Sequence, residues 1–120
     1  KQLKGYNHLI EYINARGTKH IPIERFDNSI SLMIAQKGLC GVTKRQLSID
    51  NMELHHKIPR SKQGTEKYDN LIWIDKKIHK LVHAVSTNII DKYIKEIPDK
   101  TSLKKLINLR VLVGNPLIEL

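Results

Sequence analysis

The chain is poor in the residues that usually supply covalent or metal cross-links. It holds one cysteine, Cys40, among 120 residues, so no disulfide can form within it and no cysteine-based zinc cage is available. Both absences fit a reducing interior. Aromatic residues are scarce, with one Trp, four Tyr and one Phe, which leaves Ile and Leu to build most of a core. No run approaches the ~20 apolar residues that a membrane span needs. The opening KQLKGYNHLIEYINARG is too polar for a secretory signal, and a start at Lys1 rather than Met suggests a piece of a longer chain. Neither an internal repeat nor a low-complexity tract is visible. Acidic residues are the last shortage: twelve Asp and Glu face twenty-one Lys and Arg, a formal balance of +9.

That excess sets the sequence pI near 9.7. It attracts polyanions, of which nucleic acid is the commonest; the competing reading is a lysine-rich solvated surface. The length suits one domain with a modest core. The expected setting is cytoplasmic, in a bacterium or an organellar matrix, with no membrane partner.

Leu9, Ile10 and Ile13 lie at helical spacing between Gly5 and Gly17, which suggests a short first helix. HIPIERF, around Pro22, reads as extended or turn. DNSISLMIAQKG predicts a helix capped by Asp27 or Asn28, with Ile30, Met33 and Ile34 as its apolar stripe and Gly38 at its end. LCGVTKRQLSIDNM reads as short extended pieces joined by turns. MELHHKI is a strand that Pro59 stops, RSKQGTEKYDN is a polar loop, and LIWI is a second strand. Asp75 then caps a helix through KKIHKLVHAV, buried along Ile78, Leu81, Val82 and Val85. Another helix is expected from Thr87 to Ile97, and a last one, SLKKLINLRVLV, capped by Thr101 and closed by Gly114-Asn115-Pro116. The order is helix, strand–loop–strand–helix, then two helices. It predicts an α+β chain dominated by helix.

Four of the six histidines fall between residues 55 and 83. His79 and His83, four apart on a predicted helix, leave one face about 5–6 Å apart between Cβ atoms. Two imidazoles so placed can bind one ion, although an isolated pair is more often two ordinary solvated or hydrogen-bonded histidines. His55 and His56 are adjacent at the end of a strand, so they point to opposite sides of it. One can complete a three-ligand set with His79 and His83, leaving coordination positions open as in a catalytic site. The other faces outward and suits a general base. Asn70 ends the loop before the second strand. Its amide can hold loop backbone or orient the base without titrating; by itself it reads as a turn asparagine.

His55-His56, Asn70 and His79-x-x-x-His83 together resemble the HNH endonuclease motif of the ββα-metal fold. ELHHKIPRSKQGT, YDNLIWI, DKKIHKLVHA and the tail LKKLINLRVLVGN are similar to HNH modules at the C-terminus of group II intron reverse transcriptases. The likeness covers about Lys37 to Asn115, with residues 1–26 unassigned. It implies a single HNH domain over residues 1–120: an N-terminal extension and helix at 1–38, a ββα-metal core at 39–86, and C-terminal helices at 87–120. It makes His55, His79 and His83 the ligands of one divalent metal (Zn, Ni, Mn, Co or Mg), His56 the general base, and Asn70 the residue that fixes the loop and the base. The sequence departs from the family in two places. Many relatives carry paired cysteines for a separate structural zinc. Here that region reads Cys40-Gly-Val-Thr43 and Ile78 precedes His79, so no second zinc is expected and Leu39, Val42 and Leu47 should hold the knuckle by packing. Gln63-Gly64 stands where relatives often have Gly-Gly, a change expected to be tolerated.

The resemblance implies phosphodiester hydrolysis that leaves 5′-phosphate and 3′-hydroxyl ends, with His56 deprotonating a water and the metal stabilising the phosphate and the leaving 3′ oxygen. Lys57, Arg60 and Lys62 after the histidine pair, and Lys76, Lys77 and Lys80 on the metal-binding helix, would follow a DNA backbone without reading sequence; Arg60 is the preferred contact. Trp73 reads as core, and His8 and His20 as surface. The leading expectation is a DNA endonuclease domain of an intron-encoded protein that also meets intron RNA through its parent. The alternatives are a nucleic-acid binding module with a structural metal, and a standalone phage or restriction-type HNH nuclease.

Overall fold

A computed structural model describes residues 5–115; Lys1 and the expected stop at Pro116 lie outside them. The fold is α+β: helices α1 (Asn7–Arg16) and α2 (Ile23–Ala35), strands β1 (Met52–His56) and β2 (Leu71–Asp75), then helices α3 (Lys76–His83), α4 (Thr87–Tyr93) and α5 (Lys100–Leu112). The two strands pair antiparallel in one sheet, with His55 opposite Ile72 and His56 opposite Leu71. No helix among the described residues is long and apolar enough to cross a membrane.

The strand–loop–strand–helix order is present where the apolar pattern predicts it. Trp73, Ile74 and Leu71 are buried, and Trp73 sits in the core with its indole N–H donating to the Ser29 carbonyl at 2.8 Å. Asp75 caps α3 by accepting from the Lys77 amide at 2.8 Å, which satisfies one of the free N–H groups of the first turn. Ile78, Leu81 and Val82 then pack α3 into the core, each contributing about 1.5–3 kcal/mol of burial. Val85 lies past the end of α3 and is exposed, not part of the buried stripe, because the helix stops at His83.

Elsewhere the elements shift from expectation. Pro22 begins a helix instead of marking extended chain. Its fixed φ suits the position just before the first turn, so IERF is helical and Asp27 and Asn28 lie inside α2. The buried face of α2 is Ser29, Leu32 and Met33, and Ile34 is exposed. The Thr87–Ile97 segment is α4 followed by a single 3-10 turn at Ile94–Glu96. Asp99, not Thr101, caps α5, accepting from the Ser102 amide at 2.8 Å.

Residues 38–47 form a knuckle beside β2. Cys40, Val42 and Leu47 are buried within it, and the Gly41 amide donates to the Trp73 carbonyl at 2.9 Å. The Gln36 side chain does the same from the end of α2: its amide donates to the Trp73 carbonyl at 2.9 Å and its oxygen accepts from the Trp73 amide at 3.0 Å.

Helix α5 grips the C-terminal end of α3. The Arg110 guanidinium is fully buried and donates to the carbonyls of Leu81 and Ala84, while the Asn115 amide donates to the Val82 carbonyl at 2.6 Å. Carbonyls at a helix end have no partner within the helix, and a cation there also complements the helix dipole. The helix that carries His79 and His83 is thus fixed at both ends.

Candidate active site

The Arg60–Asn70 loop joins the strands through two 3-10 turns, Arg60–Lys62 and Tyr68–Asn70. Asn70 is buried at its end. Its side-chain oxygen accepts from the Ile58 amide at 2.8 Å, and its NH₂ donates to the carbonyls of Ile58 at 3.1 Å and Thr65 at 2.9 Å. Asn70 therefore ties the backbone at Ile58, before the loop, to that at Thr65 within it; these bonds do not reach the His56 ring. Gly64 is forced by the same closure, since a Cβ there would lie 1.7 Å from the Ile58 carbonyl oxygen. Gly64→Ala is expected to lower stability by about 2–3 kcal/mol, read by chemical denaturation; a change within experimental error would mean that the loop is loose. Gln63 adopts φ 68°, a region glycine enters freely, so this departure from Gly-Gly costs about 1 kcal/mol.

Strand pleating separates the two adjacent histidines. His55 is 3% exposed and meets α3, where the i, i+4 spacing presents His79 and His83 on one face. The three ring centroids form a triangle with sides of 5.1, 5.3 and 4.7 Å. Their nitrogens converge to within 4.8 Å of one another, so the three can hold one metal ion. His79 Nε2 and His83 Nε2 are 3.1 Å apart, close to the ~3.3 Å between ligands bound at ~2.0–2.1 Å in a tetrahedral shell. His79 Nδ1 donates to Glu53 at 2.8 Å, which directs its Nε2 lone pair toward the cluster. His55 Nε2 is buried and has no hydrogen-bond partner among the described residues. A buried polar nitrogen left so costs about 1–3 kcal/mol, and a cation is the partner that would satisfy all three rings. The residues fit a metal.

Comparison of the chain with protein-family models, curated proteins and solved structures finds no match. The site is therefore argued from its own geometry.

Burial, then the neighbouring His79 and His83, hold the His55 imidazole far below its ordinary range, down to about 3. Burial likewise lowers His83. His55 is thus a neutral imidazole through the whole physiological range. The unfolded chain takes up a proton at residue 55 below about pH 6.5, whereas the folded one does so only near 3. The stability tied to a neutral His55 is present above 6.5 and is lost as pH falls toward 3, by on the order of 5 kcal/mol. Denaturation curves without metal should weaken steadily across that window, and His55→Leu should flatten the decline. A wild-type profile that is level below about pH 6.5 would contradict it.

His56 takes the other side of β1 and is half-buried in a cleft of about 400 Å³ that also includes Tyr12, Arg16, Phe26, Glu53 and Lys76. The His79–His83 face opens on a groove of about 300 Å³ walled by Glu53, Lys76 and Lys80. Glu53 and Lys76 line both spaces. The His56 Nε2 lies 2.8 Å from the Glu66 carboxylate. The expected basic residues are divided. Lys76 and Lys80 line the groove with His79 and His83. Arg60 is exposed in the loop, its Nε 3.4 Å from Glu66, and Lys57 directly follows His56. Lys62 donates to the Val113 carbonyl at 3.1 Å, and Lys77 lies 3.7 Å from Glu96, away from the cluster. His8 and His20 are exposed, as expected.

Glu53 and Glu66 are the residues that reading the sequence misses. Glu53 shares strand parity with His55, a usable signal. Glu66, in a polar loop, carries none.

Proposed function

We propose that this chain is an HNH-type ββα-metal endonuclease domain, a metal-dependent phosphodiester hydrolase acting on DNA. The observation that carries the reading is the division of labour at the end of β1. The orphaned, buried nitrogen of His55 belongs to a three-imidazole cluster, while the next residue, His56, turns to the opposite face and lines an open cleft. The balance of +9 supports a polyanionic substrate.

In this reading His55, His79 and His83 hold one divalent cation; three neutral imidazoles suit Zn, Ni, Mn or Co, with Mg a weaker match. When bound, such an ion supplies Lewis-acid stabilisation of charge on the phosphate and the departing 3′ oxygen. His56 removes the proton from the attacking water. Asn70 and Gly64 hold the loop that fixes His56 at the strand end. Glu53 keeps the His79 ring turned inward. Lys57, Arg60, Lys76 and Lys80 position the phosphate backbone. Membership in an intron-encoded protein, contact with intron RNA through that parent, and a cytoplasmic or organellar-matrix setting belong to the same proposal and rest on the sequence likeness.

Supercoiled plasmid incubated with the protein and Mn, Mg, Ni or Zn should be nicked or linearised. Metal should also raise Tm. If metal raises Tm and salt-sensitive DNA binding persists, yet no metal supports nicking beyond that of His56→Ala, the site is structural and the nuclease reading falls.

A further inference from the structure

Glu66 is held from four directions. Arg25 of α2 donates to both carboxylate oxygens, Nε to Oε1 and an Nη to Oε2, each at 2.8 Å. One helical turn along α2, the Asn28 amide donates to the Glu66 backbone carbonyl at 2.8 Å. Arg60 approaches Oε2 at 3.4 Å. The His56 ring meets Oε1 at 2.8 Å. The carboxylate is 14% exposed, and the Arg25 hydrogen bonds, followed by that of His56, hold it down to about 2 against the opposing effect of burial. It is therefore an anion throughout the working range, able only to accept. A two-pronged Arg–carboxylate pair has fixed geometry, so Glu66 presents one oxygen to His56 in a fixed place. An ionised carboxylate at Nε2 requires the ring proton to sit on Nε2. Nδ1 is then the nitrogen with the free lone pair.

We propose that Glu66 is a positioning residue that fixes the tautomer and ring orientation of His56, and that Arg25 and Asn28 of α2 lock it there. The N-terminal helices are then part of the catalytic unit, although the HNH likeness leaves residues 1–26 unassigned. The role depends on the reading of His56 as the general base. Glu66 meets the His56 ring directly and acts only through it.

The test compares wild type with Glu66→Ala, Glu66→Gln, Arg25→Met and His56→Ala. Plasmid nicking is measured with Mn across DNA concentrations, and the ring nitrogens are observed by ¹⁵N NMR well above the ordinary imidazole range. Glu66→Ala should lower kcat by about 10–100-fold with KM within about twofold, and should leave the metal-induced rise in Tm intact. Glu66→Gln, whose oxygen can still accept from Nε2–H, should recover most of that loss, and Arg25→Met should fall between. The His56 signals, assigned by their loss in His56→Ala, should report the Nε2-protonated tautomer in wild type and a mixture in Glu66→Ala. A folded Glu66→Ala protein that nicks at the wild-type kcat, or keeps the wild-type tautomer, overturns the proposal. If wild type nicks nothing, the nuclease reading fails, while the NMR comparison still decides whether Glu66 sets the tautomer.

Discussion

Replacing His56 by alanine is expected to reduce metal-dependent nicking by about 10²–10⁴-fold and to leave the metal-induced rise in Tm unchanged. The separation follows from strand parity. His55 and His56 are neighbours in sequence, but only His55 belongs to the imidazole cluster, so in the proposed mechanism truncating His56 removes the proton acceptor and leaves the metal-binding rings in place. The fold should persist, because the Glu66 carboxylate left behind keeps its paired hydrogen bonds from Arg25. His79→Ala is the converse. It removes a ligand and should abolish both the Tm rise and nicking, since two imidazoles alone form a poor site. Thermal melts with and without metal, run beside plasmid nicking, distinguish the two. If His56→Ala nicks like wild type, another group takes the proton; if it loses the Tm response, His56 belongs to the metal set.

Arg110→Met should destabilise the protein by about 3–5 kcal/mol, a large share of the 5–15 kcal/mol that holds a domain of this size. Methionine fills much of the arginine stem's volume but cannot donate. The Leu81 and Ala84 carbonyls that Arg110 satisfies would stay buried without that donor, at about 1–3 kcal/mol each, and the helix end loses a complementary charge. The effect should spread to the site, because the carbonyls belong to the end of α3 that bears His83. Metal affinity should weaken, and saturating metal should recover part of the lost stability by mass action. Urea denaturation with and without metal measures both. A loss under about 1 kcal/mol would mean that other groups or water take over the carbonyls.

The parts legible in the sequence are those whose determinants are local. Strand parity separates His55 from His56, the i, i+4 spacing aligns His79 with His83, and Asp75 marks the start of α3. Each depends on residues within about one turn or pleat of one another. The beginning of α2 is not legible because proline punctuates both turns and helix starts, so Pro22 alone does not choose between them. The buried face of α2 differs from expectation by a step around the helix, with Leu32 and Met33 inward and Ile34 outward; three nearby apolar residues do not fix which edge of the stripe is solvated. The charged supports are the least legible. His56 and Glu66 are 10 residues apart, Glu53 and His79 are 26, and Arg25 and Glu66 are 41. No periodicity links such pairs. Only the fold brings them together, and a glutamate in a polar loop reads like any solvated one until it does.

The Gln36 amide has a consequence beyond the knuckle. By bonding both the N–H and the C=O of Trp73, it acts as a one-residue substitute for a third strand, and with Gly41 it caps the outer margin of β2. A strand from another copy would find those groups already taken and would have to displace a side chain anchored at the end of a helix. Exposed sheet margins are where chains stick to one another; at the middle of β2 the Trp73 groups are closed to such templating.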